Sequence, residues 1–158
     1  MYNELTQADI DKMNEELDHR ILVVRPAILE EVKFARSHGD LSENAEYHAA
    51  KRERGRNESR IRYLKNMIRT AKIISAESLP DEIGLYDSVE FNIAGTEKNM
   101  KVQIVTTFGN DTLKGLISKE SPVGRALLGH KAGERVTVTV SPEMSYDIIV
   151  LSIEKGTK

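Results

Sequence analysis

The fold of the first half of the chain is decided by the stretch His38-Gly39-Asp40-Leu41-Ser42-Glu43-Asn44-Ala45-Glu46-Tyr47, which separates two long runs of helical periodicity. Its Gly39-Asp40 pair favours a turn, so we expect the two helices to fold back on each other as a hairpin. Asp40 and Glu43 then lie three residues apart at a solvated tip. Carboxylates in that position contribute little to a core, which indicates that the hairpin carries them to another molecule.

The first helix is predicted from about Ala8 to Arg36. Thr6 and Asp9 form a capping pattern at its start. Its apolar residues recur at alternating spacings of three and four, the pattern of a coiled-coil seam. These residues are Ile10, Met13, Leu17, Ile21, Val24, Ile28, Val32 and Ala35. Pro26 interrupts the run, and because proline lacks a backbone donor we predict a bend there.

The second helix is predicted from about Glu43 to Ile73. Its later part keeps a seam, formed by Ile61, Leu64, Ile68 and Ala71. Its earlier part is weaker, since Gly55 and Asn57 stand where large apolar residues are expected. The short connection makes the two helices antiparallel. We therefore expect residues 1–76 to form a long antiparallel coiled-coil finger with an acidic tip near 38–46.

The second half of the chain changes from helical to alternating periodicity. Residues 77–84, which contain Pro80 and Gly84, are predicted to be a linker. Antiparallel strands are predicted at 89–93, 102–104, 136–140 and 146–150. Ser121-Pro122 at one end and Gly129 at the other delimit one short helix. Residues 85–158 thus form a second domain, and the fold class is α+β.

Composition restricts the classes of function. The 158 residues carry a formal net charge of -2 and no cysteine, which excludes disulfides and thiolate zinc sites. The first residues show no secretory signal, and no apolar run approaches the ~18 residues of a membrane span. We therefore expect a cytoplasmic protein with no membrane association.

The tip carboxylates admit two interpretations. Asp40 and Glu43 fit a helix capping box, with Asp40 as the cap and Glu43 reaching back to it. They also fit a half-site for Mg²⁺, an ion that usually completes its coordination with waters and phosphates. Two carboxylates cannot hold the ion alone, so a metal site here would be shared with another macromolecule.

A basic run follows the tip. Residues 51–72 contain nine Lys or Arg against Glu53 and Glu58, which suits either a nucleic-acid backbone or an ordinary solvated helix face. Neither a zinc-binding His-Glu-x-x-His motif, nor a phosphate-binding glycine loop, nor a nucleophile elbow is present. The sequence thus contains no self-sufficient active site, no cofactor site of its own and no site for a small-molecule substrate.

At the tip the sequence resembles the bacterial Gre transcript-cleavage factors, and it is closer to the GreA branch of that family than to the GreB branch. The resemblance is carried by residues 35–51, by 117–118, 121–129 and 133–136, and by Arg25-Pro26 in the first helix. It covers nearly the whole chain. It implies a coiled coil followed by an FKBP-like domain, in agreement with the patterns above.

The resemblance also implies a function. The finger would enter the secondary channel of bacterial RNA polymerase, where Asp40 and Glu43 would help to hold a Mg²⁺ ion shared with the polymerase and promote cleavage of backtracked RNA. The polymerase would remain the catalyst, so the chain is not itself a nuclease. Contacts with the polymerase or with the RNA 3′ end are expected from His38, Ser42, Asn44, Lys51, Arg52, Arg56 and Arg60. Docking of the second domain is expected through Ser121, Pro122 and Arg125.

Three other functions fit parts of the sequence. A regulator could enter the same channel without stimulating cleavage, but such a factor is expected to alter the tip acids, and both are intact. A prolyl isomerase would need a dense aromatic pocket, whereas the second domain offers only Tyr86, Phe91, Phe108 and Tyr146. A plain coiled-coil adaptor would give the polar tip no purpose.

Overall fold

The computed structural model describes residues 3–39 and 44–156. Its first helix begins at Gln7, as the capping pattern predicts. The backbone N–H of Thr6 donates to the Asp9 carboxylate, and the N–H of Asp9 donates to the Thr6 hydroxyl, both at 3.2 Å. This reciprocal capping box satisfies two donors that a helix start would otherwise leave unpaired. Helix α1 then runs from Gln7 to His19.

The first helical run is not one α-helix bent at Pro26. A π-helical turn spans Arg20–Val24, and a second α-helix, α2, spans Arg25–Arg36. The N–H of Arg25 donates to the carbonyl of Arg20, five residues back, and the flanking residues keep right-handed helical dihedrals. Pro26 has no backbone N–H to donate to the α-helical hydrogen-bond pattern. The hydrogen-bonded turn directly before it therefore contains one residue more than an α-helical turn.

Helix α3 spans Ala45–Thr70, a shorter range than predicted at both ends. At its far end Ala71–Ile73 form a strand, β2, that pairs with β1 at Asn3–Leu5. The sequence predicted neither strand, because both are three residues long and are stabilised by each other. The hairpin itself is antiparallel as predicted, since Asn44 contacts Ala35 while Arg60 contacts Glu16.

The helices bury a narrow apolar strip. Toward the tip, Ile28 and Val32 pack with Ala50. Nearer the other end of α3, the buried positions are Ile61, Leu64 and Met67, so Met67 takes the place predicted for the half-buried Ile68. None of the helices in the described parts of the chain is long and apolar enough to cross a membrane.

The remaining elements form a five-stranded sheet in the order β5-β4-β3-β7-β6. Its strands are β3 (Ser88–Ile93), β4 (Asn99–Val105), β5 (Leu116–Ser118), β6 (Arg135–Ser141) and β7 (Met144–Glu154). The four predicted strands are confirmed. Strand β5 was not predicted, and it runs parallel to β4, so the sheet is not wholly antiparallel. The short helix α4 spans Pro122–Leu127, and the α+β class is confirmed.

The predicted linker is part of the strand-rich unit. Ile83 is buried in its core, and the backbone of Ile83 exchanges hydrogen bonds with Gly129 and His130. Asn3–Asp9 also belong to this unit, together with Lys72 onward, whereas Ile10–Ala71 form the helical unit. The boundaries therefore differ from the predicted 1–76, 77–84 and 85–158, because short polar segments pack on a sheet that their own composition does not reveal.

Residues 3–9, here called the N-terminal strap, are fixed by buried polar contacts. The Asp9 carboxylate accepts a hydrogen bond from the Thr106 hydroxyl at 2.7 Å, and Asp9 and Thr106 are 5% and 0% exposed. The Thr6 hydroxyl lies 2.7 Å from that of Tyr86. Glu4 pairs with Lys119. The strap is thus an integral part of the strand-rich unit.

Replacing Thr106 with Val should destabilise the chain by about 1–3 kcal/mol, because the buried Asp9 carboxylate loses a donor and keeps its desolvation cost. Urea unfolding of the full chain would measure this. The matched control is Thr139→Val on strand β6, at an exposed position, which should change the free energy of unfolding by less than about 0.5 kcal/mol. Equal effects at the two sites would contradict a structural role for the strap.

Candidate functional site

The residues expected to carry the chemistry lie at the turn between α2 and α3. Asp40, Ser42 and Glu43 fall outside the described residues, so their predicted roles stay predictions. The structure describes the residues on either side of them, Gly39 and Asn44. These two residues show how the ends of the helices are built.

Asn44 is the cap of α3. Its backbone is extended, with φ -83° and ψ 98°, and its side-chain oxygen accepts a hydrogen bond from the N–H of Tyr47 at 3.1 Å. Its amide nitrogen donates to the carbonyl of Ala35 at 2.6 Å. One side chain therefore satisfies a donor of α3 and an acceptor of α2. The cap of α3 is Asn44, so this use of Asn44 is structural, and the capping box expected from Asp40 and Glu43 lies outside the described residues.

Helix α2 ends in a way that also suits a tight turn. Gly39 has φ +99°, a conformation that side chains with a Cβ rarely adopt. The His38 ring packs edge-on against Phe34, with centroids 4.7 Å apart, and its Nε2 lies 3.9 Å from a Glu46 oxygen. These contacts give His38 a role in ordering the turn, and its predicted contact with RNA stays a prediction.

The basic residues of α3 do not form one face. At about 100° per residue, Lys51 and Arg54 project from one flank of the helix, and Arg52 and Arg56 from another. The first flank borders a cavity of about 310 Å³ between α2 and α3, here called the basic groove. It is lined by Pro26, Leu29, Glu30, Val32, Lys33, Arg36 and Arg54. Its floor is apolar, and three of its side chains are cationic.

Tyr47 lies next to Arg36, one of the residues that line the basic groove. Its ring centroid is 5.7 Å from the Arg36 guanidinium carbon and 5.3 Å from the Lys51 ammonium nitrogen. A hydrogen bond with Arg36, together with the charge of Lys51, holds the pKa of the Tyr47 hydroxyl below its usual value. The sequence prediction missed this cluster, because it considered the basic run of residues 51–72, and Tyr47 and Arg36 lie before that run.

The other flank is acidic. A cavity of about 290 Å³, here called the acidic groove, is lined by Glu31, Phe34, Ala35, Glu46, Ala49, Ala50 and Glu53. Arg56 is paired with Glu53 at 2.5 Å. Arg52 is exposed and makes no ion pair with another residue in 3–39 or 44–156. The two sides of the helix pair therefore differ in charge, although the net charge of the chain is close to zero.

Arg60 has a different partner from the one predicted. Its guanidinium donates two hydrogen bonds to the Glu16 carboxylate, at 2.8 and 3.0 Å, and Glu16 also accepts one from Arg20 at 2.6 Å. The bond from Arg60 and then that from Arg20 outweigh the cost of partial burial and lower the pKa of Glu16 to about 2. Arg60 thus holds α3 to α1, and the structure does not support it as a contact for RNA.

The predicted docking residues lie at the start of α4. The Ser121 hydroxyl accepts from the N–H of Gly124 and donates to the carbonyl of Ser118, so its role is to cap the helix. Pro122 occupies the first turn. Arg125 is 71% exposed and borders a shallow cavity of about 280 Å³ with Pro122, Ala126, Thr137 and Thr139. Pro122 and Arg125 therefore remain accessible, and Ser121 orders them.

No cluster of three or more Asp, Glu or His residues within 3–39 and 44–156 could hold a metal ion. The described part of the chain therefore does not offer a complete magnesium site. Asp40 and Glu43 lie outside the described residues, so the predicted metal site at the tip stays a prediction.

Comparison with known proteins places both units in one family. Residues 3–73 match the N-terminal domain of transcription elongation factors, and residues 71–155 match the C-terminal domain of GreA/GreB. The transcription elongation factor GreA of Streptococcus gordonii is 42% identical over 153 residues, which cover 96% of this chain and 94% of that protein. GreA of Streptococcus agalactiae is 41% identical over 152 residues, with the same shares covered.

Among solved structures, the chain is similar to GreA factor homolog 1 (Gfh1) of Thermus thermophilus. The two are 25% identical, with a TM-score of 0.46 over 98% of this chain and 100% of that one. The domain matches and the identities of about 40% decide the assignment. This chain belongs to the GreA/GreB family of transcription elongation factors.

The Glu16 contacts predict a pH dependence. A carboxylate whose pKa is lowered by folding contributes stability that is present above its unfolded pKa and is lost as the pH falls. With values of 4.5 unfolded and about 2 folded, the free energy of unfolding should fall more steeply between pH 4.5 and 2 in the native chain than in Glu16→Gln. Denaturant unfolding at several pH values would measure the two slopes. Glu15→Gln, at the exposed neighbouring position, should keep the native slope, and a Glu16→Gln variant with that slope would refute the assignment.

Proposed function

We propose that this chain binds bacterial RNA polymerase, inserts its helical finger into the secondary channel and stimulates the polymerase's own cleavage of backtracked RNA. The observation that carries this proposal is the position of Asp40 and Glu43. They lie in the eight-residue connection, residues 37–44, between two long antiparallel helices, in a chain whose two units both match the GreA/GreB family. A finger of this kind suits delivery of two carboxylates into a channel that a globular domain could not enter.

The two carboxylates would act as a donated half-site. Asp40 and Glu43 would supply oxygen ligands to a Mg²⁺ ion that the polymerase also holds, and this ion would help to activate water and stabilise charge on the leaving group. Two carboxylates are too few to hold the ion alone, because Mg²⁺ takes six ligands and completes them with waters and phosphates, and this supports a shared site. The polymerase remains the catalyst, the chain itself is not a nuclease, and this partner implies a cytoplasmic location.

The basic groove is the part of the finger that best suits the extruded RNA. Phosphates would lie near Lys51, Arg36 and Arg54, and the apolar floor formed by Pro26 and Leu29 could accommodate bases. The acidic groove would repel the same chain. Pro122 and Arg125 would contribute to docking of the strand-rich unit on the polymerase.

Asp40→Asn and Glu43→Gln should each reduce stimulated cleavage by about two orders of magnitude while polymerase binding stays nearly unchanged. A bound metal contributes several kcal/mol of transition-state stabilisation, and about 1.4 kcal/mol corresponds to tenfold in rate. Because Asn44 caps α3, neither change removes the helix cap. Single-turnover cleavage of labelled RNA in stalled elongation complexes would measure the rates, and competition binding the affinity.

The matched control is Glu46→Gln, which removes an exposed carboxylate of the acidic groove close to the tip. It should leave cleavage within about twofold of the native rate. Full activity in both tip variants would refute the shared-metal role. A native chain that binds the polymerase but leaves cleavage unstimulated would instead identify a channel-binding regulator.

The two flanks of α3 can be compared directly. Replacing Lys51 and Arg54 with Gln should weaken cleavage of RNA backtracked over long distances and reduce its salt dependence, because each lost phosphate contact lowers the salt slope by about 1. Replacing Arg52 and Arg56 with Gln, on the acidic side, should have a smaller effect. Rates in complexes backtracked by short and long distances, at several salt concentrations, would measure both.

A short 3′ overhang ends near the tip and should be cleaved equally by both double variants. An equal loss in both at long distances would contradict the assignment of RNA to the basic groove. A loss confined to the Arg52 and Arg56 variant would place the RNA on the opposite flank.

A further inference from the structure

Asn57 is an unusual residue for its position. It is 4% exposed and lies on the inward face of α3, in line with the buried Ala50, Ile61 and Leu64. Among the described residues of Ile10–Ala71, it is the one buried side chain that is polar. Buried asparagines in apolar helix seams can fix the alignment of the helices at some cost in stability.

The partner of Asn57 is Arg20, at the start of the π-helical turn. The Arg20 guanidinium donates to the Asn57 side-chain oxygen at 3.1 Å, and the Asn57 amide donates to the backbone carbonyl of Arg20 at 3.3 Å. The backbone carbonyl of Arg20 also accepts a hydrogen bond from the N–H of Arg25, five residues later, and this bond defines the π-helical turn. Asn57 therefore binds the atom at which the helix changes its hydrogen-bonding pattern.

The π-turn alters which face of the first helical run meets α3. At about 100° per residue, Arg20 lies roughly 90° around the helix from the mean direction of Ile28, Val32 and Ala35. Yet both sets face α3. Arg20 contacts α3 at the start of the π-turn, and Ile28 and Val32 pack against Ala50 of α3 after the turn. One extra residue in the turn brings these two sets into line, since it is equivalent to about 100° of rotation.

The same rotation explains why the predicted continuous seam fails in the middle. Leu17, Ile21 and Val24 are only half-buried, and Leu22 and Val23 are 71% and 55% exposed. Pro26 explains why the helix opens in this region, because it supplies no donor. The proline does not determine which carbonyl accepts the hydrogen bond of the π-turn. That carbonyl belongs to Arg20, and the Asn57 amide donates to it directly.

We infer that Asn57 is a positioning residue, which fixes the π-turn at Arg20 and thereby the rotational phase of α2 and the direction in which the tip carboxylates are presented. The effect on cleavage rests on the proposed function, whereas the effect on helix phase does not. In Asn57→Leu the apolar side chain can still be buried, and the partly exposed Arg20 can bond to water. We therefore expect a folded chain whose π-turn is no longer held at one carbonyl.

The experiment measures helix phase first. The chain has no cysteine, so pairs of spin labels can be introduced at exposed positions without other changes. A distal pair at Glu30 and His48 reports on α2 and α3 beyond the turn, and a basal pair at Lys12 and Lys65 reports on the part before it. In Asn57→Leu the distal distance distribution should shift or broaden by about 5 Å, since a helix with its side chains is about 10 Å across. The basal distribution should keep its native form.

Cleavage is then measured with unlabelled chains at saturating concentration. Asn57→Leu should lose about 10²-fold in rate, the effect of a misplacement of about 1 Å, with polymerase affinity unchanged. The matched control is Ile61→Val at the next inward position, which should lower stability slightly and leave both the distal distances and the saturated rate intact. Asn57→Ala, which favours helix and adds no bulk, replaces the Leu variant if that chain does not fold.

Unchanged distal distances in Asn57→Leu and Asn57→Ala would overturn the inference, whatever the cleavage rate. Altered distances with a native cleavage rate would overturn the positioning role. If the native chain itself stimulates no cleavage, the proposed function fails, and the label distances alone decide whether Asn57 fixes the turn.

Discussion

The helical finger depends on polar contacts between its helices, because its apolar strip is too narrow to specify one alignment. Among the described residues near the tip, those that are buried are Ile28, Val32, Ala35 and Ala50, and Ala50 contributes little area. The helices are fixed instead by polar cross-helix contacts, which include Asn44 with Ala35, Arg25 with Glu58, Asn57 with Arg20, and Glu16 with Arg60. Directional bonds of this kind hold the two helices in register without widening the pair, which suits the insertion into the polymerase channel that we propose.

The structural features that could be predicted from the sequence are those that local residue patterns determine. The two long helices, their antiparallel pairing and four of the sheet strands follow from spacing and turn residues, and the capping box of Thr6 and Asp9 was recognised from two residues. The strands β1, β2 and β5 could not be predicted, because three-residue segments have no periodicity and exist only through their partners. The π-turn was missed for a related reason: Pro26 indicated a disruption, but its form depends on Asn57, 37 residues away from Arg20.

The prediction of the site residues was limited because ion pairs between residues distant in sequence cannot be foreseen from the sequence. A linear run of Lys and Arg does not show which cations are neutralised by distant carboxylates. Arg60 was predicted to contact RNA, yet it is bound to Glu16 of the other helix, whereas Arg36 and Tyr47 emerge as neighbours of Lys51 only after folding. The charge of the acidic groove comes from three glutamates that are separated in sequence, Glu31, Glu46 and Glu53.

The N-terminal strap has a consequence for synthesis on the ribosome. Helices α1 to α3 are complete within the first 70 residues and rely on contacts within that length, so they can form early. The strap is made before these helices, but Tyr86, Thr106 and Lys119, to which it binds, emerge much later. The strap therefore completes its contacts only when most of the five-stranded sheet has been made, so substitutions in the strap would act on a late step of folding.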